Sequence, residues 1–155
     1  MNSQTTNRLV QEYKQLRKQG PDPDIDLVPE EDDIRRWTAF LRGPPQTPYD
    51  GFRYHLDITV PDTYPLTPPS IRSVTKVFHP NFHFKTGEIC LDIFKSEWTP
   101  AWTLQNCCRA IMTLLSHPEA DSPFNCDAGN LLRSGDVKGF QSLARMYASI
   151  YAQPI

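Results

Sequence analysis

The sequence predicts an α+β fold in which helices cover one side of an antiparallel sheet. Three observations lead there. A helical stripe opens the chain, strand-like alternation fills residues 25–78, and helical spacing returns only after residue 103. Strands and helices are therefore segregated along the chain, not interleaved as in a parallel α/β sheet. The 155 residues suffice for one hydrophobic core, and without an internal repeat or composition break the expectation is a single domain over 1–155.

Residues 3–19 predict a helix, with Leu9, Tyr13 and Leu16 spaced on one face. Ser3 or Thr5 would cap its start, and Gly20-Pro21 would end it. After a break at Pro21–Asp24, Ile25–Val28 predicts a short strand and Glu30–Asp33 an acidic turn. Strands follow at 34–42 and 52–60. In the second, Phe52, Tyr54, Leu56, Ile58 and Val60 alternate with polar residues, the mark of one buried face. Gly43–Gly51 is turn chemistry, Pro61–Pro69 a corner, and Ile71–Phe78 a fourth strand of an antiparallel meander. From 79 to 103 no period holds; an irregular stretch of about 25 residues inside a compact domain is usually functional. Leu104–Ser116 then predicts a central helix, started by Thr103 and stopped by His117-Pro118. Two C-terminal helices follow, Cys126–Leu132 and Val137–Tyr151, the latter with Phe140, Leu143, Ala144 and Tyr147 on one face. The 15 prolines cluster between these elements and act as rigid corners.

Composition narrows the function. Lys and Arg total 16 against 18 Asp and Glu, a net charge of -2, which argues against a general nucleic-acid binder. No apolar run is long enough for a membrane-spanning helix, so direct membrane insertion is not expected. The polar stretch Met1–Arg8 shows no secretory signal. The four cysteines lack C-x-x-C spacing, which fits a reduced intracellular chain in which Cys107, Cys108 and Cys126 fill the core.

Cys90 is different, because it follows a glycine turn in the irregular stretch. A thiol there is either an exposed nucleophile or a packed side chain. A zinc site would need more ligands than His79, His83 and Cys90, so no metal is expected. A cysteine protease would need a partner imidazole, and His55, His83 and His117 carry no such signature. Gly87 alone makes no phosphate loop. The His79-Pro80 pair suggests a turn whose imidazole bonds the backbone.

The motifs His79-Pro80-Asn81, Gly87-x-Ile89-Cys90-Leu91-Asp92-Ile93 and Trp98-Thr99-Pro100-Ala101 together resemble the signature of ubiquitin-conjugating (E2) enzymes. Tyr49-Asp50-Gly51, Tyr64-Pro65-Leu66-x-Pro68-Pro69 and Ser122-Pro123-Phe124-Asn125 extend the resemblance over nearly the whole chain. It implies the UBC fold and a transferase that carries ubiquitin as a thioester on Cys90. It places Asn81 where a side-chain N–H either meets the oxyanion or fixes the loop, and puts Asp92, Asp121 and Ser122 on the rim that receives the substrate lysine. Many members carry aspartate where Ser122 stands. Leu66, Pro100 and Ala101 correspond to the loops gripped by RING-type ligases (E3). Arg8, Lys14, Arg17 and Lys18 lie on the helix that meets the activating enzyme (E1). His79, Pro80 and Trp98 take structural places. No cofactor is implied, since the E1 consumes the ATP.

One departure stands out: Phe82-His-Phe-Lys-Thr86 is one residue longer than in common E2s. The extra residue must bulge, with Phe82 and Phe84 as its anchors. The run Asn125–Leu132 and the long Cys90 loop resemble the peroxisomal branch. That resemblance implies a cytoplasmic enzyme held on the cytosolic face of the peroxisomal membrane by a membrane-anchored partner, with the import receptor as substrate. Two rival readings remain: conjugation of another ubiquitin-like protein, and a non-catalytic E2-like binding module, against which Cys90 counts.

Overall fold

The alternation read from the sequence becomes a meander. A computed structural model describes residues 3–155; Met1 and Asn2, the first of the polar N-terminal stretch, lie outside them. Helix α1 (Ser3–Gln19) leads into strands β1 (Ile25–Glu30), β2 (Asp33–Arg42), β3 (Phe52–Thr59) and β4 (Ser70–Ser73), paired antiparallel in that order. The register sets Leu27 opposite Ala39, Leu41 opposite Tyr54, and Trp37 opposite Ile58. Because strand side chains alternate, these buried residues share one face. Helix α1 covers β2 there, with Tyr13 edge-on to Trp37. The central helix α2 (Leu104–Ser116) packs on β1 and β2 through Leu104, Cys107, Cys108 and Ile111, while α3 (Cys126–Arg133) and α4 (Val137–Tyr151) pack on each other.

The later helices start on side-chain caps. Thr103, Asn125 and Asp136 accept the amides of Asn106, Ala128 and Gly139 at 3.1, 3.1 and 2.9 Å. Each satisfies an amide that the first helical turn would leave unpaired, a contribution of about 1 kcal/mol. Thr5 does not cap: it lies inside α1, and its hydroxyl reaches the carbonyls of Asp62 and Tyr64 at 2.6 and 2.7 Å.

Three expectations are corrected. The fourth strand covers only Ser70–Ser73, not 71–78. At Val74 the amide still reaches the His55 carbonyl (2.8 Å), but the chain then leaves the sheet. Phe78 instead stacks on Tyr147 of α4, with ring centroids 5.4 Å apart. A fifth strand, β5 (Gln153–Pro154), pairs with Phe52 and Arg53 of β3. Cys126 is exposed at the start of α3, outside the core that holds Cys107 and Cys108.

Candidate active site

The stretch that lacked a sequence period is held by individual bonds. His79 is fully buried: its Nε2–H donates to the Leu114 carbonyl (2.8 Å), and its Nδ1 accepts the Asn81 amide (3.0 Å). These two roles need the neutral ring with its proton on Nε2. Burial lowers its pKa to about 4, against the opposing pull of the Leu114 carbonyl. Pro80 contributes its carbonyl, which accepts the amides of Phe124 (2.8 Å) and Asn125 (3.1 Å) and so draws residues 121–125 to the site.

Asn81 is buried and occupied. Its carbonyl accepts the Cys90 amide at 2.8 Å. Its side-chain Nδ2 donates to the Glu119 carbonyl, and its Oδ1 accepts the Glu119 amide, both at 2.9 Å. An asparagine amide has two N–H donors, so only one remains for a reacting oxygen.

Between Asn81 and Cys90 the chain forms a narrow loop. Phe82 bridges Ile89, the His83 amide meets the Glu88 carbonyl (2.8 Å), and the Gly87 amide meets the His83 carbonyl (2.9 Å). Gly87 is required twice over: its φ is +78°, and a Cβ there would strike the Ser73 carbonyl of β4. The loop is anchored by both phenylalanines. Phe82 is buried, and Phe84 lies edge-on to Tyr147 and Tyr151 at 5.1 and 5.9 Å.

Cys90 ends this loop half-buried. A single 3-10 turn, Asp92–Phe94, follows, closed by the Lys95 amide on the Asp92 carbonyl at 3.0 Å. It returns the Lys95 ammonium to 3.8 Å from the Cys90 sulfur. Beside Leu91 begins an open groove of about 510 Å³ that runs along α2 past Trp102, Asn106, Thr113 and His117 to Glu119. Asp92, Asp121 and Ser122 are exposed, and Ser122 adopts a left-handed φ of +55°. Among the described residues, no three His, Cys, Asp or Glu side chains gather as metal ligands.

The two projecting loops share supports. Leu66 is 75% exposed, and Pro100 and Ala101 are exposed as well. Trp98 joins the loops by donating its indole N–H to the Pro65 carbonyl at 2.9 Å. Beneath them sits Glu12 of α1, a buried carboxylate. It accepts the Tyr64 hydroxyl (2.5 Å), the Arg8 guanidinium (2.9 Å) and the Leu104 amide (2.8 Å). Burial first, and this carboxylate next, push the Tyr64 phenol well above its ordinary pKa.

Arg8 therefore leaves the basic face expected of it. Its guanidinium also donates to the Trp102 carbonyl (2.8 Å) and lies over the Tyr64 ring. Lys14, Arg17 and Lys18 remain exposed. Sequence reading missed Glu12, Lys95 and Glu119. Glu12 carried a signal, since its place between Leu9 and Leu16 puts a charge on the apolar stripe. Lys95 and Glu119 carried none, because turn geometry alone brings them in.

A partly exposed cysteine at the end of a rigid loop and two exposed loop tips agree with the E2 resemblance of the motifs. A sequence model described as ubiquitin-conjugating enzyme matches residues 8–148. The chain belongs to that family and is an E2 transferase with the UBC fold. It is 58% identical to Protein PEROXIN-4 of Arabidopsis thaliana over 95% of this chain and 94% of that protein. It is 59% identical to ubiquitin-conjugating enzyme E2 pex4 of Dictyostelium discoideum, covering 93% of this chain and 97% of the other. Among solved structures it matches H. polymorpha Pex4p, crystallised with the soluble domain of Pex22p. The TM-score is 0.91 at 38% identity, over 96% of this chain and 98% of that one.

Proposed function

We propose that Cys90 accepts the C-terminal carboxyl of ubiquitin from the E1 as a thioester and passes it, with a RING-type E3, to a substrate amine. The observation that carries this reading is the partly exposed Cys90 thiol at the end of a rigid loop, with the neighbouring Leu91 lining the open groove along α2. A thioester suits the task because thiolate leaves more readily than alkoxide or amine. The chain needs no cofactor of its own, since ATP is spent by the E1.

Asn81 acts as a positioning residue. Its carbonyl holds the Cys90 amide, and its side chain ties the loop to Glu119. An incoming lysine pressed against the rim loses solvation, which favours its neutral, nucleophilic form. Ser122 offers no charge there, so accepting the proton falls to Asp92 or Asp121. Leu66, Pro100 and Ala101 receive the E3, and Lys14, Arg17 and Lys18 the E1.

The peroxin names of the relatives support a place on the cytosolic face of the peroxisomal membrane, with the import receptor as substrate. The partner in the H. polymorpha crystal supports recruitment by a membrane-anchored protein. In this chain no helix among the described residues is long and apolar enough to cross a membrane.

The test is charging by E1, ATP and ubiquitin, read on gels with and without reductant. A reducible adduct is expected, replaced in Cys90→Ser by an ester that reductant does not cleave. A reducible adduct formed equally by Cys90→Ser defeats the assignment, and adduct formation only with another ubiquitin-like protein changes the cargo. Pull-down from cells with the ubiquitin-loaded Cys90→Ser chain should capture a ligase, a membrane-anchored partner and the receptor. Capture of none of them removes the peroxisomal reading.

A further inference from the structure

The loop that ends at Cys90 also has a tip. Its limbs are paired from the Cys90 amide on the Asn81 carbonyl up to the His83 amide on the Glu88 carbonyl, both at 2.8 Å, which leaves Phe84, Lys85 and Thr86 to turn the chain. The tip leans on α4, where Phe84 meets Tyr147 and Tyr151 edge-on. Lys76, in the segment after β4, sets its ammonium 5.1 Å from the centre of the Phe84 ring. The elements that meet here leave two large apolar side chains uncovered, Val74 at 57% and Tyr151 at 45% exposure. Lys85 is exposed, and among the described residues no carboxylate lies within ion-pair distance of Lys76 or Lys85. Glu88, the one carboxylate on the loop, stands opposite Arg72 of β4 in an isolated bridge, so basic groups outnumber it. The tip is thus basic on a chain of net charge -2, while the rim that follows Cys90 carries the opposite charge on Asp92 and Asp121.

We propose, on the footing that Cys90 carries the acyl group, that this tip is a docking surface for an acidic segment of the acceptor protein. Carboxylates of the segment meet Lys76 and Lys85, and an apolar side chain of it covers part of Tyr151, a residue type favoured at interfaces. The charge selects the partner, because a basic tip attracts carboxylates and repels a segment rich in lysine and arginine.

The spacing ties docking to the reaction. Lys85 is five residues from Cys90, at most about 18 Å of extended chain. A segment bound at the tip therefore reaches the thioester with a lysine about five residues away along its own backbone. Holding it there raises the concentration of that lysine at the thioester. The tip accordingly lowers the acceptor's KM and leaves the chemical step untouched.

The experiment charges the full chain with ubiquitin, stops the E1 by removing ATP, and follows single-turnover discharge to two acetylated peptides. Both carry a single lysine and a leucine; one has a run of glutamates beginning five residues from the lysine, and the other has glutamines in their place. The glutamate peptide should reach half-maximal rate at about fivefold lower concentration, with equal rates at saturation, and its advantage should vanish in about 0.5 M salt. Lys85→Glu should abolish the advantage. Lys138→Glu, the same change of charge at the exposed start of α4, should keep it, and discharge to free lysine should be equal in all three chains. Equal half-maximal concentrations for the two peptides, an advantage that survives Lys85→Glu, or one lost equally in Lys138→Glu overturns the proposal. NMR of the uncharged chain gives an independent reading, in which the glutamate peptide should shift the amides of Val74, Lys76, Phe84, Lys85 and Tyr151. Shifts confined to other residues overturn the proposal, as do shifts of these amides by phosphatidylserine vesicles and by neither peptide. Failure of the parent to charge, with the peptide shifts present, defeats the thioester reading alone.

Discussion

The loop that ends at Cys90 and the middle of α2 treat the same side chain in opposite ways. On α2 the backbone is a regular helix and the thiols are sealed, Cys107 and Cys108 both being 0% exposed. Burial pushes the Cys108 thiol up to about 12 despite neighbouring Arg109, and pushes the Cys107 thiol up as well. In the Cys90 loop the backbone is irregular and the thiol is half-open. What the loop lacks in regularity it borrows from α2 and its sequel, through His79 on Leu114 and Asn81 on Glu119. The open thiol is thus separated from the packed pair by accessibility, while rigidity is shared between the two regions.

The largest effect expected is also the most direct challenge to that contrast. Cys90→Ala should remove all reducible adduct, while Cys107→Ala or Cys108→Ala should keep charging and lose about 1–2 kcal/mol of stability in urea unfolding. Alkylation of the native chain, mapped by mass spectrometry, should label Cys90 and Cys126 and spare the α2 pair until unfolding.

Next comes acid. The His79 ring, held near pKa 4 when folded against an ordinary 6.5, binds its proton more readily in the unfolded chain. Its contribution is complete above pH 6.5 and disappears as pH falls towards 4, a loss of about 3 kcal/mol. Urea midpoints at pH 7 and pH 4.5 should show the drop, and His79→Asn, lacking the titrating ring, should show a flatter profile.

Asn81→Ala sharpens the account of the loop. Charging should persist, and discharge to free lysine should slow about tenfold, short of the hundredfold or more expected for losing an oxyanion donor. Single-turnover discharge measures the difference. The smallest effect is Ser122→Gly, which relieves the left-handed backbone at +55° at some cost in unfolded-chain entropy. A net gain of about 0.5 kcal/mol should appear in the same urea unfolding.

Much of this architecture was legible because its signals are local. Alternation from Phe52 marked β3, Thr103 and the His117-Pro118 pair bounded α2, and clustered motifs placed Cys90 and Asn81 together. The failures share a cause, namely contacts between residues distant in sequence. Residues 74–78 look like strand, yet Val77 and Phe78 are claimed by the core outside the sheet. β5 is two residues long and exists only because β3 offers it an edge. Arg8 looked like surface charge until Glu12 and the Trp102 carbonyl turned it inward. The Cys90 loop had no period to read because its order comes from single hydrogen bonds, each set by a different partner.

The carboxylate of Glu12 gears α1 to the chain at Tyr64 and to the first turn of α2. A visitor that tilts the helix must drag the loop tips with it, and a visitor that pries the tips apart must wrench the helix. The helix and the loop tips therefore share a single lever, whose fulcrum is a carboxylate only 8% exposed.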